Sequence, residues 1–136
     1  MELRRDDLVR AAGDPARRRA ERLATTDREI RQAQAEALGR TGERLQGILE
    51  RLAGLDRRLD ARLDEASGDA PAAGEALRTE IEARNRLRDE AVRVRHHLVI
   101  QREALGLARH TPVEQCYPVP ARRPSHGAAT GQGREP

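Results

Sequence analysis

His96 and His97, with Glu103, His110 and Cys116 downstream, are the residues whose types could hold a metal ion. Neighbouring residues on a helix point about 100° apart, so the two histidines cannot grip one ion from a regular helix. No Glu-x-x-His, His-Glu-x-x-His or Cys-x-x-Cys spacing completes such a site. Exposed or interfacial histidines are the simpler reading, and no metal site is expected. Cys116 has no base at a recognisable nucleophile spacing. The glycines are scattered, without a P-loop or Gly-x-Gly-x-x-Gly to cradle phosphate. These residues argue against an enzyme, a bound cofactor or a small-molecule substrate.

Arg17, Arg18, Arg19 and Arg22 form the densest basic spot, and Arg122-Arg123 a smaller one. Three consecutive arginines cover most of a helical turn and could straddle a phosphate backbone. Glu21 interrupts them, Asp14 and Asp27 flank them, and no aromatic residues interleave for base stacking. Non-specific nucleic-acid association is therefore the alternative reading, with a solvated helical face as the plainer one. The net charge is only +3, and all 26 basic residues are arginine.

The elements that must position these residues are set by an apolar seam. Leu38, Leu45, Leu52, Leu59 and Ala66 recur every seventh position, with Ile48 and Leu55 between them. That spacing predicts a helix packed on another helix. Leu77, Ala91, Leu98 and Leu105, with Leu87 and Val94, repeat it in a second arm. The breaker-rich stretch Ser67-Gly68-Asp69-Ala70-Pro71-Ala72-Ala73-Gly74 separates the arms and has the length of a helix–helix connection. If the chain reverses there, residue numbers of opposite partners sum to a nearly constant value. Leu45 then meets Leu98, Leu52 meets Ala91, Ile48 meets Val94, and Arg62 meets Glu80. Leu59 against Arg84 is the mismatch, covered at best by the arginine's aliphatic stem.

The expected fold is all-α: a long antiparallel, coiled-coil-like helical hairpin with a short N-terminal helix and an extended or disordered C-terminal tail. The parts are a short helix within 1–13, the hairpin over 14–110, and a Pro/Gly-rich, mostly disordered tail over 111–136. The long helices are expected over 15–66 and 75–109. Asp14-Pro15 reads as N-cap and first helical position of the first, and Gly39 and Gly42 as the place for a kink or break. Pro112 is expected to stop the second. Acid-first pairs at four-residue spacing, such as Glu80–Arg84 and Asp89–Arg93, should each add roughly 0.2–0.5 kcal/mol to helicity.

By the same register, residues 15–33 have no partner in the seam, and their apolar positions include Leu23 and Ile30. Beyond Val92 the second arm's stripe widens, and Val99, Ile100 and Leu107 point away from the first arm. A helix in water has little reason to place large aliphatics there. Val92, Val99, Ile100, Leu107, Leu23, Ile30 and Tyr117 are thus the candidate protein interface. Tyr117, the only aromatic residue, is central to a Tyr-Pro-Val-Pro segment that could dock on this apolar end.

These features favour a non-catalytic interaction or scaffold protein that forms a homo-oligomer or binds a helical protein partner. One cysteine excludes an intrachain disulfide framework and suits a reducing cytosol. No apolar run approaches the roughly 20 residues of a membrane span, and the N-terminus lacks a signal peptide's apolar core. A cytoplasmic location is expected.

Overall fold

The computed structural model describes residue 5, residues 13–65 and residues 71–125, with the side chains of 71–73 left aside. The expected short N-terminal helix (apart from residue 5), residues 66–70 at the expected connection and the tail from residue 126 fall outside the described residues. All regular structure among the described residues is helical: α1, Pro15–Glu65; α2, Pro71–Ala104; and α3, Thr111–Cys116. The chain divides into two compact units, Met1–Ala37 and Leu38–Pro136.

In the first unit, α1 starts where Asp14-Pro15 predicts. The Asp14 carboxylate accepts from the Ala16 N–H at 3.2 Å, and its carbonyl accepts the Arg18 N–H at 3.0 Å. Proline at the first helical position loses nothing, because that N–H has no intrahelical partner. The Thr25 and Thr26 hydroxyls donate back to the carbonyls of Glu21 and Arg22.

In the second unit, α1 from Leu38 pairs with α2. Leu45, Ile48, Leu52, Ala91, Val94 and Leu98 form one buried cluster, with Leu38, Leu49 and Leu87 packed against it. Leu59, Leu77 and Ile81 form a second, flanked by Leu63. The seam is the expected one, and Arg62 pairs with Glu80 across it. Ile81, outside the heptad series, joins Leu59 and Leu77 in this cluster, and Arg84 is itself buried. Each fully buried leucine or isoleucine contributes about 1.5–3 kcal/mol, which is why apolar spacing dictates the pairing. The helix runs unbroken through Gly39 and Gly42. Gly42 is buried, and a Cβ there would stand 3.0 Å from the Tyr117 hydroxyl, so close approach explains that glycine.

The end of α2 corrects the expected boundary at residue 109. Gly106 adopts φ +84°; its N–H donates to the Glu103 carbonyl at 2.9 Å, and the Leu107 N–H to the Arg102 carbonyl at 2.9 Å. This pair of bonds satisfies the last carbonyls and turns the chain out of the helix. Glycine reaches that left-handed conformation without the clash a Cβ would bring. Pro112, read as a helix stop, instead opens the short α3, where Val113 is buried in the first cluster. No helix among the described residues is long and apolar enough to cross a membrane.

Candidate interaction surface

After α3 the chain turns back along α2 as an extended strap over residues 117–125. Pro118, Pro120 and Pro124 remove N–H donors from this stretch, so it cannot join a backbone ladder and presents mainly carbonyl acceptors. Arginines of α2 supply the donors. Arg95 donates to the Tyr117 carbonyl at 3.2 Å, Arg88 to Pro120 at 3.0 Å, and Arg84 to Ala121 at 2.8 Å. Asn85 then clamps Arg123, donating to its carbonyl at 2.8 Å and accepting its N–H at 2.9 Å. The contacts step down α2 as the strap advances, so the strap runs antiparallel to that helix.

Arg84 is the centre of this arrangement. Its side chain is only 2% exposed, and its Nε and Nη2 reach the two Asp56 carboxylate oxygens at 2.8 and 3.0 Å. Arg123 of the strap shares Asp56 at 2.8 Å and reaches Asp60 at 2.7 Å, while Arg122 pairs with Asp89. A buried charge is tolerated only when paired and hydrogen-bonded, and the planar guanidinium fork meets that need here. Burial pushes the Asp56 carboxyl up, but the hydrogen bonds and charges of Arg84 and Arg123 outweigh it and hold the group below the usual carboxylate range. The hydrogen bond from Arg122 likewise lowers Asp89. Hydrogen bonding to Asp60 and Asp56 raises Arg123.

This network redirects the charges expected to pair along the helices. Glu80 is taken by Arg62, Arg84 by Asp56, and Asp89 by Arg88 and Arg122. Arg122 and Arg123, within the tail expected to be mostly disordered, are held by Asp56, Asp60 and Asp89. The mismatch noted at position 84 was the available signal, together with Asp56 three residues before Leu59.

The candidate interface residues separate into two groups. Val99 and Tyr117 pack on the first core cluster beside Val113 and Val119, so the chain's own strap and α3 cover that side of α2. Val92 is half-buried next to Val99 and Val113. Leu23, Ile30, Ile100 and Leu107 remain 61%, 51%, 48% and 44% exposed. Leu23 and Ile30 lie on a stretch of α1 in which every residue from Pro15 to Ala33 is exposed.

Arg17, Arg18, Arg19 and Arg22 are all exposed, and Arg17 pairs with Glu21 at 3.5 Å. His96 and His97 line different clefts, with Val99 and with Thr41 respectively, as their angular separation requires. His110 contacts Glu103 at 3.0 Å, and Cys116 is an exposed free thiol. Among the described residues, no three His, Cys, Asp or Glu side chains converge as metal ligands. No family model, curated protein or solved structure matches this chain.

Proposed function

We propose that the protein is a non-catalytic helical scaffold that self-associates through the first half of α1. The observation that carries this reading is the exposure of Leu23 and Ile30 on a helix that buries none of its residues from Pro15 to Ala33. A helical segment of this length, with no packed face, is marginal in water. A second helix laid along it would supply the missing burial.

Ala16, Leu23, Ile30 and Ala37 repeat every seven residues, with Ala20 beside them, so they share a face. An antiparallel second copy would set Leu23 against Ile30, Ala20 against Ala33 and Ala16 against Ala37. That arrangement is isologous, the symmetry of a two-fold dimer. We place the protein in the cytoplasm, where an exposed thiol such as Cys116 stays reduced.

Light scattering across a concentration series tests the proposal. The full chain should approach twice its monomer mass as concentration rises, and Leu23→Glu with Ile30→Glu should hold it monomeric with its hairpin intact. A wild-type mass that stays monomeric throughout refutes the reading.

A further inference from the structure

The hairpin carries an open groove of about 750 Å³. Asn85, Arg88 and Arg95 hold the strap and Arg86 and Arg93 line the groove, while Arg84 borders both, donating to the strap's Ala121 carbonyl and lining the groove. Leu55 and Leu87 are half-buried in its floor. Arg51, Arg58, Arg86 and Arg93 stand exposed around it.

Arg62 and Arg84 also line the groove, but they are neutralised by Glu80 and Asp56, and Glu90 is taken by Arg44. The other four arginines enter none of the ion pairs found among the described residues. The groove therefore combines a leucine floor with an excess of cations on both walls. Its complement has an apolar stripe bordered by carboxylates.

From this complementarity we infer that the groove docks an acidic amphipathic helix of a partner protein, giving a three-helix bundle. Apolar anchors laid into a groove are the standard mode for such a helix, and opposite rim charges set its specificity and rate of encounter. The distance from Arg51 to Arg62 along α1 is about 17 Å, or three turns. A helix of roughly 12 residues matches that span.

Charge favours a partner over another part of this chain as the occupant. The portion of α1 that buries no residue, 15–33, has Arg17, Arg18, Arg19, Arg22, Arg28 and Arg31 against Glu21, Asp27 and Glu29. It would be repelled by the groove walls. Residues 1–12 and 126–136 carry equal numbers of acidic and basic residues. Nucleic acid fits less well, because the Glu80 and Glu90 carboxylates line the same groove and its floor offers no ring for base stacking.

The test uses the full chain and a labelled sixteen-residue peptide with leucines at heptad seam positions and glutamates on both flanks. Fluorescence anisotropy at physiological salt should give saturable binding. Arg51→Glu with Arg93→Glu should weaken it at least tenfold, and a peptide with lysine for each glutamate should recover binding to that variant. Methyl resonances of Leu55 and Leu87 should shift while the Tyr117 ring does not. Absent or unsaturable binding of the acidic peptide overturns the inference, as does equal binding to the variant. So does displacement of the peptide by an equal concentration of duplex DNA, which would make the groove a general polyanion site. These arginines are outside residues 15–37, so the light-scattering mass is independent of every outcome here.

Discussion

Asp56→Asn keeps the size of the side chain and removes the charge facing Arg84. Arg84 would then be a cation 2% exposed, facing a neutral amide. Breaking a buried ion pair on one side costs about 3–5 kcal/mol. Arg84 keeps two neutral acceptors, the Ala121 carbonyl at 2.8 Å and Asn85 Oδ1 at 3.0 Å, and Arg123 keeps Asp60. The loss should therefore fall at the lower end, about 3 kcal/mol, or roughly a hundredfold in the folding equilibrium. With a urea slope of about 2 kcal/mol/M, the unfolding midpoint would drop by about 1.5 M. Far-UV circular dichroism follows the helices. Near-UV dichroism follows the strap alone, since Tyr117 is the only aromatic side chain. Glu90→Gln serves as the control, because its pairing with exposed Arg44 should contribute no more than about 1 kcal/mol. Replacing both members, Asp56→Leu with Arg84→Met, should cost less than the two single changes added together. A loss for Asp56→Asn no larger than that of Glu90→Gln, or strict additivity in the cycle, would refute the claim that a buried charge holds the strap.

The pH dependence follows from the same groups. Asp56 and Asp89 have folded-state pKa values below the ordinary 3.8, so the unfolded chain binds their protons first. Their contribution is fully present above that value and is lost as pH falls through the folded-state values. The Tyr117 near-UV signal should hold down to about pH 4 and fade only below it, and Asp56→Asn should flatten this acid transition. Glycine replacements probe the strap from the other side. A Cβ on Gly47 meets nothing within 4 Å, so Gly47→Ala should stabilise the hairpin by about 0.8–1 kcal/mol in a thermal or urea melt. Gly42→Ala offers the same helix gain but presses on the Tyr117 hydroxyl, so it should gain measurably less. Equal gains at the two positions would mean that Tyr117 is not held there.

The hairpin could be read from the chain because its cause is local and periodic. Leu45, Leu52 and Leu98 recur at helical spacing, and burying them leaves few ways to pair two helices. The end of α2 was harder, since Leu105, Leu107 and Ala108 prolong the apolar pattern past Gly106. There a backbone conformation open to glycine overrode side-chain spacing. The strap was hidden for a different reason. Its proline- and arginine-rich composition matches that of unfolded tails, and what holds it is contact between residues 22 to 67 positions apart. Local composition carries no trace of such pairs. Val99 packs on the first core cluster together with Val113, Tyr117 and Val119, and of these three the sequence pointed only to Tyr117 as a segment that could dock there.

A two-helix hairpin has two long sides, and a narrow aliphatic seam between them offsets little chain entropy. In this protein the two sides are treated unequally. One is closed by the chain itself, through arginine and asparagine donors of α2 matched to carbonyls of the proline-rich strap. Closing it draws Asp56, Asp60 and Asp89 toward Arg84, Arg122 and Arg123. Those three acids are engaged at the strap, Glu80 and Glu90 in the groove are taken by Arg62 and Arg44, and among the described residues Arg51, Arg58, Arg86 and Arg93 enter no ion pair. A chain of nearly balanced charge thus carries a groove lined by more arginines than carboxylates, six against two.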